Sequence, residues 1–254
     1  MSNKLTIDSQ ESILKYLQSS QIKVKLAVLN SIINFPQKVM SYIPDTDTTL
    51  VEYIYTTSLE NSSNQLLKLY IQALLALDEK RGIELILLLW NKSEKTEELS
   101  IIYDVSNHLS EKQKCELGKK TLFSNVVHKS YLASKLLSNS IEQLNFKEYI
   151  RYLLITKPKE IQNIEDENIP SILIEELNET YKMQAIDAIR YLKEDYLKKI
   201  MKSWDIFPLS IKIDLAKIIF SKDSDNIHSI MINAILKKTS KDKLDKIFAS
   251  LKDY

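Results

Sequence analysis

Glycine is nearly absent: two residues in 254, Gly82 and Gly118, accompanied by five prolines and one cysteine, Cys115. Sheets and tight hairpins need Gly, Asn-Gly and Pro at their turns, so this scarcity points away from β structure. Two isolated glycines also cannot build a phosphate loop, a dinucleotide fingerprint or a nucleophile elbow, each of which needs several glycines for positive φ or close backbone approach. A lone cysteine excludes an intramolecular disulfide, and with it a stapled secreted scaffold. Arginine is scarce as well, with Arg81, Arg151 and Arg190 its only occurrences, which leaves few planar forks to grip phosphate or carboxylate. The most apolar run, "IELILLLW" at residues 83–90, is far shorter than a membrane-spanning helix. The N-terminal "MSNKLTIDSQE" lacks the apolar core of a signal peptide. A soluble cytoplasmic protein is the expectation.

Hydrophobic residues make up 44% of the chain, enough for a continuous core. Lys and Arg total 35 against 34 Asp and Glu, so no global field draws the chain to nucleic acid or an anionic membrane. Apolar residues recur at helical spacing, as in Leu66, Leu69, Tyr70, Ala73, Leu74 and Leu77. Capping and stop signals divide the chain into about fourteen short helices, the first capped by Asp8 or Ser9, another by Asp47 or Thr48 after a loop at "PDTD". Phe35-Pro36 reads as the end of a helix starting near Ser20. The expectation is an all-α fold in a single domain over residues 1–254, with "ELILLLW", apolar on nearly every face and including Leu88, at its centre.

Many short helices joined by short turns stack on their chain neighbours more naturally than they close into a bundle. The stretch "SSQIKVKLAVLNSI" places Ser20 before Val24-Lys25, followed by a ridge of Ala27, Val28, Leu29 and Ile32. It resembles the second helix of a HEAT-like repeat. Echoes follow at Lys68, Lys129, Lys182 and Lys212, where a lysine precedes small and aliphatic residues. The small residue lets helices approach, and the lysine stem covers apolar surface at the edge. The resemblance implies a HEAT-like or armadillo-like right-handed α-α superhelix with an extended curved surface. The intervals are uneven and the family's usual Asp and Arg pair is mostly absent, so a nonrepeating helical bundle is the competing architecture.

Catalytic signals are sparse. His108, His128 and His228 form no HxxxH or HExxH pair, and a cluster of His108, Cys115 and His128 matches no zinc spacing. Cys115 reads as a buried structural thiol. Adjacent acids such as Glu97-Glu98 and Glu175-Glu176 point about 100° apart on a helix and read as solvated faces. Trp90 with Glu94, and Trp204 beside Asp205, look similar to the Trp and acidic residues that HEAT-like DNA glycosylases of the alkylation-repair family use in a basic cleft. That chemistry needs a strongly basic track, which a nearly neutral chain lacks. No catalytic, cofactor-binding or metal-binding residue is assigned.

Charge segregation remains. Residues 112–159 hold ten basic residues and three acids, 160–181 hold seven acids and no base, and 193–252 return to an excess of five positive charges. Either adjacent helices pair these blocks in surface salt bridges, or the middle segment presents a basic concave strip to an acidic partner, protein or nucleic acid, with the acidic stretch shielding it or docking elsewhere. Lys129, Arg151 and Trp204 are the candidate partner-binding residues. The function expected is a non-catalytic protein-binding or scaffold module, with a protein partner ahead of nucleic acid and no membrane. A HEAT-like DNA-binding protein of the glycosylase type and a structural subunit of a larger assembly are the alternatives.

Overall fold

The structure, a computed structural model, describes residues 10–40, 49–60, 63–222 and 225–251. The caps anticipated at Asp8, Ser9, Asp47 and Thr48, and the loop at 44–47, lie outside these residues. The described chain is all helical, with no strand. It packs as two compact units, Met1–Leu117 and Gly118–Tyr254.

The first unit contains α1 (Gln10–Leu17), α2 (Ile22–Asn34), α3 (Pro36–Met40), α4 (Thr49–Glu60), α5 (Asn64–Leu77), α6 (Glu79–Lys92) and α7 (Thr96–Val105), with a 3-10 turn at Ser106–His108. The boundary with the second unit falls inside α8 (Glu111–Thr121). Pro36 does end α2, because the residue before a proline is pushed out of the α region. The same proline then opens α3, its fixed φ suiting the first helical position, where no amide donor is needed. That short helix is not apparent in the sequence pattern.

The hub of the first unit is α5, which packs against α2, α3, α4, α6 and α7. Eight of its fourteen residues are buried, from Leu66 to Leu77. Among them is Tyr70, whose hydroxyl has no hydrogen-bond partner among the described residues; burial pushes its pKa up to about 12. An unpaired buried hydroxyl costs on the order of 1–3 kcal/mol, a penalty that the surrounding aliphatic burial must offset. The ridge on α2 buries Val28, Leu29 and Ile32 as its pattern implies, whereas Ala27 is exposed. The segment at 83–90 is less central than its composition suggests. Leu85, Ile86, Leu89 and Trp90 are buried, but Ile83, Leu87 and Leu88 are only half-buried, because α6 packs through one face against α5 and α4 and through its flank against α7.

The second unit continues with α9 (Val127–Leu136), α10 (Phe146–Thr156), α11 (Ile169–Leu177), α12 (Lys182–Ile189), α13 (Glu194–Lys202), α14 (Leu209–Phe220), α15 (Asp225–Lys238) and α16 (Lys241–Leu251). Three 3-10 turns, Ile141–Gln143, Pro158–Asn163 and Trp204–Ile206, punctuate them. The start of α10 is fixed locally by a capping box: the Glu148 amide donates to Asn145 Oδ1 at 2.9 Å, and the Asn145 amide donates to Glu148 Oε2 at 2.8 Å. Each helix from α10 onward packs against the one two further along: α10 on α12, α11 on α13, α12 on α14, α13 on α15 and α14 on α16. Successive helices also touch, as α10 and α11, α11 and α12, and α14 and α15 do. Their shared interior is a single apolar cluster running from Ile150 to Ile247. None of the described helices is long and apolar enough to cross a membrane.

Both glycines sit where helices approach closely. A Cβ on Gly118 would lie 2.6 Å from Leu137 Cγ, and one on Gly82 would lie 2.6 Å from Leu75 Cδ2 and 2.9 Å from the Leu75 Cα. The second case involves backbone, so α5 and α6 must separate to admit even a methyl group. Overpacking of this kind costs roughly 1–3 kcal/mol, at least matching the ~1 kcal/mol by which alanine exceeds glycine as a helix former. Gly82→Ala is therefore expected to lower the urea midpoint; a clear rise would show that the two helices are free to move apart.

Candidate functional site

Lys129, Arg151 and Trp204 do not form an exposed strip. Lys129 and Arg151 retain 6% and 4% of their accessible surface, and Trp204 none. Trp204 is held within the second unit by its indole N–H, which donates to Thr239 Oγ1 at 3.0 Å. The Lys212 ammonium lies 5.8 Å from the centre of its ring. Burial, with help from Lys243, pushes the Lys212 ammonium below its ordinary pKa, while Asp205 opposes the shift.

Arg151, expected on the basic strip with its charge exposed, is instead buried among packed side chains. Its guanidinium contacts Glu176 on α11 and lies over the rings of Phe123, at 4.9 Å, and Tyr181, at 4.7 Å. Tyr181 in turn donates its hydroxyl to the Val127 carbonyl at 3.0 Å. One side chain thus ties α10 to α11 and to the segments that open α9 and α12. Glu176 is 2% exposed. Loss of water raises its pKa, an effect that the neighbouring Arg151 charge reduces without cancelling.

The opposed charge blocks are resolved by pairing. The acidic stretch is shared between the two basic ones. Glu160, Glu175 and Glu176 meet the middle block, through Lys157–Glu160, Lys147–Glu175 and Arg151–Glu176. Glu165 and Glu167 meet the downstream block, with Lys193 Nζ 3.2 Å from Glu165 and Lys199 Nζ 3.9 Å from Glu167. The first set includes a buried contact, whereas the second is solvent-exposed.

The exposed set borders a groove of about 880 Å³ in the second unit. Helix α13, "EDYLKKIMK", makes its wall by simple amphipathicity. Tyr196, Leu197, Ile200 and Met201 are buried, which turns Lys198, Lys199 and Lys202 outward. Glu194 and Asp195 in its first turn and the lysines in its last complement the helix dipole. Lys238 enters from α15, which packs on α13, and donates to the Lys202 carbonyl at 3.4 Å. Glu165, Asp166 and Glu167 form the opposite rim in the turn before α11. The Glu165 carboxylate, accepting a hydrogen bond from Lys193, holds that ammonium above its ordinary pKa. No acid among the described residues lies within ion-pairing distance of Lys202.

The groove lysines went unassigned in the sequence because charge counts over sixty residues do not say which helix face carries the charge. The four-residue apolar spacing within α13 is the signal that could have found them. Trp90, like Trp204, is fully buried, so neither indole is available to a base. Cys115 is buried. Among the described residues no group of three or more His, Cys, Asp or Glu side chains is arranged to hold a metal ion. Comparison with protein-family models, curated proteins and solved structures returns no match for the chain.

Removing one member of a buried ion pair leaves the other charge unpaired and costs roughly 3–5 kcal/mol, so Arg151→Met should destabilise the second unit strongly near neutral pH. The loss should also depend on pH. Without Arg151 the folded-state pKa of Glu176 rises further above its unfolded value, so the folded state binds a proton that the unfolded chain does not. Stability then falls as pH rises through that window and is regained on acidification. Urea unfolding at about pH 7 and about pH 5 should show the smaller deficit at the lower pH; a deficit that is absent, or equal at both, would contradict the buried pair.

Proposed function

We propose that the chain is a non-catalytic, HEAT-like α-solenoid module that engages a protein partner through the lysine-lined groove of its second unit. The helix-on-second-helix stacking of α10 to α16 supports the solenoid reading, since two parallel rows are how such arrays bury a continuous core and expose one row to partners. The observation that carries the binding reading is the groove itself: an open cleft along α13 and α15, lined by five lysines of which Lys202 has no acidic partner among the described residues. The glycosylase-type alternative has lost its two tryptophans to the core and has no arginine in the groove.

Lysate capture with the wild-type chain, compared with Lys199→Glu/Lys202→Glu, tests this. One or a few proteins should be lost from the variant's eluate, and random duplex DNA should bind neither protein appreciably at physiological salt. Identical capture by both proteins would remove the groove from the account. Tight duplex binding that weakens steeply with added salt would instead favour the nucleic-acid alternative.

A further inference from the structure

We infer that the groove takes an acidic, linear protein segment, and that Glu165 and Glu167 occupy part of that segment's place as a tethered competitor. The inference rests on the reading of the second unit as a binding module and adds the chemistry of the partner and a control on its access.

The two sides of the groove differ in how firmly they are held. Lys193, Lys198, Lys199 and Lys238 are only partly exposed, at 51%, 30%, 41% and 38% of their side chains, whereas Glu165 and Glu167 are 85% and 93% exposed. The ammonium groups therefore belong to a wall, and the carboxylates are solvated arms resting against it. Pairs this exposed contribute little, so a chain bringing several carboxylates at once can displace them. The resident segment is itself non-helical between the 3-10 turn ending at Asn163 and the start of α11 at Ile169. Its backbone is pinned by a local turn in which the Asn168 amide donates to Asp166 Oδ1 at 2.8 Å, so the glutamates flanking Asp166 can swing away without unfolding a helix.

The groove's chemistry favours carboxylates over a nucleic-acid backbone. Its lysines are point charges that attract carboxylate and phosphate alike, so the discrimination rests on the lack of a stacking surface. The aromatic residue in the groove, Tyr196, is 6% exposed and lies beneath the Lys193 and Lys199 ammoniums, 4.9 and 5.9 Å from its centre. It cannot serve as a platform for stacked bases. Met201 and Ala234 add apolar lining, which suits the apolar side chains interspersed in an acidic peptide.

Fluorescence anisotropy with a labelled peptide alternating Glu and Leu, and with a labelled single-stranded oligonucleotide of equal charge, tests both parts. The wild-type chain should bind the peptide. Glu165→Gln/Glu167→Gln should tighten binding roughly threefold to tenfold by removing the competitor. Lys199→Glu/Lys202→Glu should weaken it by about tenfold or more, and Lys23→Glu/Lys80→Glu, in the first unit, should leave it unchanged. All four proteins should share one circular-dichroism spectrum, since the altered side chains are exposed or partly exposed. If the glutamine variant does not bind more tightly while the groove reversal still weakens binding, the competitor is overturned and the binding module stands. If the groove reversal has no greater effect than the first-unit reversal, the binding module falls as well. Preference for the oligonucleotide would overturn the acidic-peptide assignment.

Discussion

None of the described α-helices exceeds fourteen residues, and several have eight to ten. Helices of that length are marginal in water on their own, so each depends on burying an apolar stripe against a neighbour. The other features follow from that requirement. In the first unit it makes α5 a hub, buried along most of its length and touched by five other helices. In the second unit it brings helices from α10 to α14 against the one two positions on as well as against chain neighbours. It also explains the placement of the two glycines, since short helices gain most contact where their backbones come closest.

Once the apolar stripes are committed to the interior, the charged residues have little freedom. Within the second unit, basic and acidic side chains from different elements pair with each other. Where the pair is buried, as at Arg151 and Glu176, its service is geometric: it fixes how α10 and α11 meet while Phe123 and Tyr181 cover the guanidinium. Where the pairs are exposed, as at Glu165 and Glu167, the same charges remain exchangeable. The contrast between the buried pair, Arg151–Glu176, and the exposed pairs of Glu165 and Glu167 is what gives the groove along α13 its functional interest.

The helical class and most helix positions were legible in the sequence, because apolar spacing and the near absence of glycine report directly on local structure. Val28, Leu29 and Ile32 were identifiable as a buried ridge for the same reason. The exposure of charged side chains was not. Arg151 reads in the sequence as a member of a basic strip, and only the approach of Glu176, twenty-five residues later, turns it into a core residue. Trp204 is buried in the apolar cluster of the second unit, and its N–H is satisfied by Thr239, a partner too far along the chain for periodicity to indicate. Conversely, α13 announces its lysine face through its own apolar spacing, yet its opposite rim at 165–167 is set by tertiary packing alone.

Native-state hydrogen exchange resolved by residue measures the dependence of these helices on burial most directly. Amides of α5 in the first unit, and of α14 in the second, where six of twelve residues are buried, should exchange only through the largest opening reactions. Those of α16, in which Ile247 is the only buried residue, should exchange through much cheaper local opening. Protection in α16 equal to that in α14, or early exchange throughout α5, would contradict the account.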